Sequence, residues 1–272
     1  MASQLLTKIT NSIRHRGVAG AAVRAVTRAL GIERMPESPL HHYPQYYKLL
    51  KGKEGLEIGG PSKVFGRKGE LPLYPIVKGL DGCNFSTHTV WEGEIAAGNS
   101  YRYDPGKPPG RQYIGEASDL GAVPAESYDF VLSSHSLEHL ANPLRAVGEW
   151  TRVLKKNGIL LIIVPDPRHT FDHRRPVTPF AHLLEDYANN TDEHDLTHLE
   201  EILSLHDLAR DPLAGDQAAF RQRSLKNFEN RCLHHHVFDA ALVGQILGYH
   251  RVDVLSTDWA APYHTIVVGK KR

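Results

Sequence analysis

Short apolar runs alternate with amphipathic stretches from about residue 53 onward. The runs that predict strands are Leu56–Ile58, Tyr74–Leu80, Gln112–Gly115, Tyr128–Ser133, Ile159–Val164, Arg251–Leu255 and His264–Val268. Ile159–Val164 is continuously apolar, which is typical of a strand covered on both faces. Strands that alternate with helices over short connections predict a mostly parallel sheet with helices on both faces.

The pattern also predicts where one helix begins and ends. Asn142 suits the N-cap and Pro143 the first helical position. An apolar stripe follows, formed by Leu144, Val147, Trp150 and Leu154. Asn157-Gly158 is predicted to end this helix. Another helix is predicted over Val237–Leu247, and the stretch before it, about residues 166–232, is predicted to be a helical lid insertion.

Residues 3–30 predict a separate amphipathic helix. Its basic residues are Lys8, Arg14, Arg16, Arg24 and Arg28, and no acid precedes Glu33. Two interpretations stay open: a peripheral anchor on an anionic membrane surface, or a helix packed on the domain or on a second subunit. A proline-punctuated linker follows, so we expect an N-terminal part of residues 1–50 and a main domain of residues 51–272.

Composition and charge exclude some classes of protein. The chain has 272 residues, with 41% hydrophobic and 23% charged residues and a net charge of +1, which gives no global field for nucleic acid. Its two cysteines, Cys83 and Cys232, form no metal-type pair and suit a reducing compartment. No run of about 18 apolar residues predicts a membrane span. We expect a cytoplasmic protein without a secretory signal, and a peripheral contact at the inner membrane face stays open.

Polar residues fall at the ends of four predicted strands. Glu57 ends the first, Asp81 the second and Glu116 the third, while Ser134-His135 follows the fourth. Because ligands of such sheets sit at the carboxyl ends of the strands, this edge is the predicted binding site.

Several segments resemble motifs of class I S-adenosylmethionine-dependent methyltransferases. In Leu56–Ser62 an acid precedes a tight glycine turn, whereas an NAD-type fingerprint has its acid about 20 residues after the glycines. Residues 116–131 and 133–139 are similar to the family's segments around strands three and four, and residues 152–158 to its Arg-Val-Leu-Lys-Pro-Gly-Gly turn. Pro61 departs from the first motif, where it removes a backbone donor.

The resemblance implies an α/β fold: a Rossmann-like, doubly wound, mostly parallel seven-stranded sheet with an antiparallel last strand, plus the helical insertion between strand five and the following helix. It implies S-adenosyl-L-methionine as the cofactor. Glu57 would orient the glycine turn or meet the cofactor's amino group. Ser134 or His135 would lie near the reactive methyl group.

The resemblance implies further cofactor contacts at the strand ends. Gly59 and Gly60 would line the methionine and ribose side. Asp81 would accept hydrogen bonds from the ribose hydroxyls, although a turn residue before Gly82 is the alternative. Glu116 and Ala117 would face the adenine.

Nine of the 17 histidines lie between residues 166 and 239. Three interpretations stay open. One histidine could be a general base for a hydroxyl acceptor, with His135, His173, His235 and His236 as candidates. A divalent metal could bind, for which His194 and His198 have a compatible spacing. The histidines could instead be structural.

The insertion is rich in polar and basic residues, which favours a polar acceptor. Its arginines are Arg168, Arg174, Arg175, Arg223 and Arg231; they would hold an anionic acceptor or pair with local acids. Similarity to bacterial methyltransferases of sugars and surface glycans predicts O-methylation of a glycan hydroxyl. Methylation of another polar metabolite at nitrogen or oxygen, and a non-catalytic cofactor-binding scaffold, are the alternatives. A small-molecule or glycan partner is expected, and a nucleic acid is not.

Overall fold

An eight-stranded sheet forms the centre of residues Ser38–Arg272, which make one compact unit. The computed structural model describes residues 35–272. The strands are β1 (Glu54–Ile58), β2 (Gly79–Asn84), β3 (His88–Thr89), β4 (Gly93–Glu94), β5 (Gly98–Tyr101), β6 (Gly110–Ile114), β7 (Tyr128–Ser134), β8 (Leu154–Pro165), β9 (Val252–Ala260) and β10 (His264–Lys271). The α-helices of the described part are α1 (Tyr43–Leu50), α2 (Pro143–Val153), α3 (Phe180–Asn189), α4 (Leu199–Leu205), α5 (Gln217–Leu225), α6 (Asn227–Asn230) and α7 (Ala240–Tyr249).

The strand order is β5-β6-β2-β1-β7-β8-β10-β9, and β3 pairs with β4 apart from this sheet. Neighbours from β6 through β8 are parallel, whereas β10 is antiparallel to β8. The predicted doubly wound sheet with an antiparallel last strand is therefore confirmed. The sequence did not predict the eighth strand, β5, which pairs antiparallel with β6 at the edge.

Each face of the sheet packs against a different kind of cover. Helices α2 and α7 cover one face, where Trp150 and Ile246 are fully buried. The other face is covered by α1 and by loop residues, including Phe65 and Leu73. Helix α1 lies in a segment that the sequence assigned to a linker, and that prediction was wrong because Tyr43, Tyr46 and Leu50 are buried in this second core.

Strand β2 does not lie where the apolar pattern predicted it. The predicted run Tyr74–Leu80 lies mostly in turns, because Tyr74 and Val77 fill the core beneath the sheet. The strand is instead Gly79–Asn84. A Cβ on Gly82 would overlap the ring of Tyr101, so this glycine makes room for a side chain that comes from β5, on the far side of β6. The shift moves Asp81 away from the strand end.

Helix α2 begins as predicted and ends early. The Asn142 side chain accepts a hydrogen bond from the Arg145 amide at 3.0 Å, and Pro143 occupies the first turn. The chain passes from Val153 directly into β8, and Asn157 (φ 62°) lies inside that strand. Helix α7 begins at Ala240, later than predicted, because Asp239 caps it through the Leu242 amide at 2.7 Å.

The predicted insertion between β8 and α7 is helical. Helices α4 and α5 share a small core of their own around Leu199, Ile202 and Phe220, whereas Leu183 of α3 is buried in the main core. Among residues 35–272, no helix is both long and apolar enough to span a bilayer. The predicted basic helix over residues 3–30 lies outside the described residues.

Candidate active site

The turn after β1 brings backbone close to the strand edge. Gly59 has φ 77°, and a Cβ there would overlap the Ser136 hydroxyl. A Cβ on Gly60 would overlap the Glu57 carboxyl group and the Tyr101 hydroxyl. Both positions therefore need glycine, as a close approach of backbone to a ligand requires.

Glu57 holds this turn from beneath. Its buried carboxylate accepts hydrogen bonds from Tyr101 Oη at 2.6 Å, from Tyr74 Oη at 2.8 Å and from the Ser62 amide at 3.0 Å. Burial raises the pKa of Glu57, and these three donors oppose that shift. With its oxygens engaged in this way, Glu57 orients the turn, which is one of the two roles expected for it.

A narrow inner pocket of about 70 Å³ opens beside the turn. Of the residues expected to bind the cofactor or to lie near its methyl group, Gly59, Glu116, Ala117 and His135 line it together. Asn84 lines it too, and its Nδ2 donates to the Gly60 carbonyl at 3.0 Å. The sequence analysis missed Asn84 because it placed the end of strand two at Asp81.

Asp81 lies inside β2, three residues before its end. Its carboxylate accepts hydrogen bonds from Tyr128 Oη at 2.6 Å and from the Arg111 amide at 2.7 Å. It is not among the residues that line the inner pocket. The strand-end position predicted for Asp81 was therefore wrong, and Asn84 occupies it.

Arg231 joins the insertion to this edge of the sheet. Its Nη2 lies 2.7 Å from Glu116 Oε1, and its Nη1 lies 3.2 Å from Glu193 Oε2. The guanidinium also stacks on the rings of Phe85 and Phe228. Burial raises the pKa of Glu193 to about 7, although Arg231 opposes the shift.

A wide outer cleft of about 1440 Å³ adjoins the inner pocket, and the two share Gly59, Trp91, His135 and His139. Ser134 lines only the outer cleft. Most of the other lining side chains are charged or aromatic: Lys63, Arg67, Lys68, Glu70, Arg102, Tyr103, Asp104, Phe171, Arg210 and Tyr263. The cleft is therefore suited to a polar ligand that is larger than a metabolite of a few atoms.

His135 stands where pocket and cleft meet, with φ 51° at the end of β7. Its Nε2 lies 2.7 Å from His264 Nδ1, and its Nδ1 lies 3.4 Å from Glu138 Oε1. Burial and the neighbouring His135 lower the pKa of His264 to about 4. Both ring nitrogens of His135 thus face other titratable groups.

His234 faces the cleft from the insertion. Its Nδ1 lies 2.5 Å from Asp172 Oδ2, and the described residues form no hydrogen bond with its Nε2. Burial disfavours the protonated ring, but the Asp172 carboxylate outweighs burial and raises the pKa of His234. Burial opposes ionisation of Asp172, yet His234 and Arg175 lower its pKa to about 2. A carboxylate that holds one ring nitrogen of a histidine and leaves the other free is the arrangement of a general base.

Three of the four predicted bases do not line the cleft or the pocket. His173 pairs with Asp207 at 2.8 Å, the buried His235 contacts Asn227 Nδ2 at 2.9 Å, and the buried His236 contacts Asp186 Oδ2 at 3.0 Å. These side chains are held by structural contacts. The sequence analysis named His235 and His236 and missed His234, the first residue of the same histidine run.

The predicted metal pair is also separated. His194 is exposed, pairs with Asp192 and stacks on Phe228. His198 instead meets His182. The five arginines singled out in the insertion each form an ion pair with an acid: Arg168 with Asp166, Arg174 with Asp207, Arg175 with Asp172, Arg223 with Asp211 and Arg231 with Glu116. Paired charge was one of the two interpretations left open for them.

The methyltransferase domain family matches residues 90–162 of the chain, from the β3–β4 hairpin to β8. This segment supplies the strand ends at Glu116 and His135. Over residues 90–162 the chain is therefore similar to a methyltransferase domain. This match and the α/β sheet support an enzyme that uses S-adenosyl-L-methionine as its cofactor.

Solved structures resemble this chain at low identity. A SAM-dependent methyltransferase from Aquifex aeolicus is 16% identical, with 84% of this chain and 87% of that chain covered and a TM-score of 0.46. One from Methanosarcina mazei is 18% identical, with 84% and 97% covered and a TM-score of 0.49. A search of curated proteins gave no match.

The residues present fit the cofactor. Gly59, with φ 77°, brings its backbone to the pocket wall, and Asn84 and Glu116 stand at adjacent strand ends beside it. The pocket has polar groups from Asn84 and Glu116 and apolar walls from Ile58 and Leu140. The inner pocket, together with the adjoining part of the outer cleft, is therefore the site suited to S-adenosyl-L-methionine.

Proposed function

We propose that the enzyme methylates a hydroxyl group of a sugar or glycan, with His234 as the general base. The observation that carries the proposal is the Asp172–His234 pair, in which Asp172 holds Nδ1 of a histidine that lines the outer cleft. S-adenosyl-L-methionine supplies an electrophilic methyl group on its sulfonium. A hydroxyl acceptor must lose its proton as it accepts that group, and a histidine fixed by a carboxylate is suited to take it.

The walls of the cleft favour a saccharide. Its lining combines aromatic side chains, among them Trp91, Tyr103 and Tyr263, with charged groups such as Arg102 and Glu70. A sugar presents both apolar ring faces and hydroxyl groups, so it matches this mixture. The volume of about 1440 Å³ allows more than one sugar ring.

The contacts of the inner pocket support the following roles for the residues proposed to bind the cofactor. Asn84 takes the strand-end position beside the ribose, in place of Asp81. Gly59 and Gly60 let backbone approach the methionine side. Glu116, oriented by Arg231, lies at the adenine end with Ala117. His135 lies between pocket and cleft, near the reacting methyl group.

An acceptor screen with isotopically labelled cofactor tests this proposal. Sugars and oligosaccharides are compared with amines of similar size, and transfer to a hydroxyl is the expected outcome. His234→Asn should lower turnover about 10²–10⁴-fold while leaving the affinity for S-adenosylhomocysteine unchanged. Exclusive transfer to amines would contradict the proposal.

His173→Asn is the matched control. His173 also pairs with an aspartate, Asp207, but lines neither the cleft nor the pocket. Turnover close to that of the wild type is expected for this variant. Equal losses of turnover in both variants would mean that the carboxylate–histidine pairs stabilise the fold. His234 would then not be the general base.

A further inference from the structure

Four potential metal ligands converge inside the insertion, apart from the methyl-transfer site. His182 and Asp186 lie one turn apart on α3, His198 immediately precedes α4, and His236 precedes α7. Asp186 and His236 are buried, while His182 and His198 are partly buried. None of the four lines the inner pocket or the outer cleft.

The ligand atoms lie at short distances from one another. His182 Nε2 is 2.9 Å from His198 Nε2 and 3.3 Å from Asp186 Oδ2. Asp186 Oδ2 is in turn 3.0 Å from His236 Nε2. The nitrogens of the three histidines all lie within 4.8 Å of one another. Zinc bonds of about 2.0–2.1 Å in a tetrahedron separate the ligand atoms by about 3.3 Å, and the three separations of 2.9, 3.0 and 3.3 Å are close to that value.

Hydrogen bonds alone satisfy this arrangement poorly. His182 Nε2 has two close neighbours, His198 Nε2 and Asp186 Oδ2. A neutral ring nitrogen carries either one proton or one lone pair, so it forms a good hydrogen bond with only one of them. A cation at the centre gives each of the three Nε2 lone pairs and the carboxylate oxygen the same partner. The Nε2 atoms of the three histidines are close together, as the ligand atoms of a metal site are.

The outer atoms of the same side chains are held in the way that metal ligands usually are. His236 Nδ1 lies 3.2 Å from the Leu140 carbonyl oxygen, which fixes the ring with Nε2 directed at the cluster. Asp186 Oδ1 accepts a hydrogen bond from Thr191 Oγ1 at 3.2 Å, which leaves Oδ2 for the centre. Such partners orient a ligand and set the tautomer of its ring.

We infer that His182, Asp186, His198 and His236 bind one zinc ion with a structural role. Three imidazole nitrogens and one carboxylate oxygen are ligands that zinc accepts. Four protein ligands leave no open position for a substrate, which is typical of a structural site and not of a catalytic one. The ion would fasten α3, the start of α4 and the segment before α7 to one another.

The small core of the insertion explains why a bound metal would stabilise it. Its own core contains only six buried apolar residues, Leu199, Ile202, Leu203, Ala214, Phe220 and Leu233. A core of that size stabilises a subdomain weakly, and small units of this kind gain stability from a bound metal. Because Asp172 and His234 belong to the same insertion, the zinc would also keep the proposed base in place.

The first test is the metal content of the full chain, purified with its affinity tag removed and analysed by elemental mass spectrometry. About one zinc ion per chain is expected. Removal of the ion with a chelator should lower the melting temperature, and added zinc should restore it. Cobalt(II) in place of zinc should give the intense visible absorption of a tetrahedral site. Folded protein from zinc-supplemented growth that holds no zinc would overturn the inference.

Variants locate the ion. His198→Ala should lose the zinc, whereas His194→Ala, four residues earlier and outside the cluster, should retain it. His139→Ala should also retain it, because His139 belongs to a second group with Glu138 and His234 at the cleft. If His198→Ala is insoluble, the partly exposed His182→Ala decides the question. Zinc retained at the wild-type level in the soluble His198→Ala or His182→Ala variant would contradict the assignment.

The test is independent of the proposed function. Zinc content and melting temperature are measured without cofactor, acceptor or turnover. A protein that holds zinc in this site but transfers no methyl group to sugars would refute the acceptor proposal alone. A zinc-free protein that methylates sugars would refute this inference alone.

Discussion

Arg231 Nη2 lies 2.7 Å from Glu116 Oε1, so a residue of the insertion touches the strand end expected beside adenine. The same guanidinium meets the buried Glu193. Arg231→Ala would remove the cationic partner of both carboxylates, and we expect a loss of about 1–3 kcal/mol in the free energy of unfolding, because Glu193, whose pKa is about 7, can take up a proton when the partner is gone. Chemical denaturation measures this loss.

Arg221→Ala is the control for that measurement. Arg221 pairs with Glu200 at 3.2 Å, but both side chains are at least half exposed. An exposed pair of this kind contributes about 0–1 kcal/mol. The account fails if both variants lose the same small amount, or if Glu193→Gln does not recover stability in the Arg231→Ala background.

The stability of the enzyme should depend on pH through Glu193. Because burial raises its pKa to about 7 from the model-peptide value of 4.5, the folded state binds the proton more tightly than the unfolded state. The resulting stability is fully present below about pH 4.5 and is lost as pH rises through about 7. Glu193→Gln removes this dependence, so its free energy of unfolding relative to that of the wild type should increase between pH 5 and 8. Parallel pH profiles of the two proteins would contradict the shift.

Asp172 should control the rate through His234. A protonated His234 cannot accept a proton, so turnover should rise with pH through its pKa, which Asp172 raises. Asp172→Asn should lower turnover and move the midpoint of the pH–rate profile to lower pH. Steady-state rates from pH 5 to 9 check this, with the affinity for S-adenosylhomocysteine as the control. An unchanged midpoint would show that Asp172 acts only on the fold.

Asn84 and Asp81 offer a direct comparison of two positions on β2. Asn84→Ala removes a pocket side chain and its bond to Gly60, so we expect the affinity for S-adenosylhomocysteine to fall about tenfold or more, which corresponds to about 1.4 kcal/mol. Asp81→Ala removes an acceptor from Tyr128 outside the pocket, so it should leave the affinity unchanged. Titration calorimetry of both variants decides between the positions, and the reverse order would restore Asp81 to the ribose.

The sequence predicted the elements that have strong local signals. The continuous apolar run of β8 and the Asn142 cap of α2 each specify their element through neighbouring residues. Strand β2 lacks such a signal. Its sequence, Gly79–Asn84, contains two glycines and two polar residues, while the apolar run before it fills the core from a loop. Only the tertiary packing against Tyr101 explains why the glycine-rich segment is the strand.

The candidate site was predictable at the strand ends and not within the insertion. Gly59 and Glu116 follow strands whose register brings their ends to one edge. The choice among His234, His235 and His236 depends on where each ring points, which Asp172, Asn227 and Asp186 determine from 62, 8 and 50 residues away in sequence. Adjacent identical residues carry no local signal that separates a base from a structural histidine.

Calorimetric titration of the full chain with S-adenosylhomocysteine, the product form of the cofactor, tests the central claim most directly. The account predicts binding of one molecule per chain with micromolar affinity, through the inner pocket beside Gly59 and Asn84. Folded protein that binds no S-adenosylhomocysteine, with or without a saccharide acceptor present, would contradict the assignment of this pocket and of the activity that depends on it.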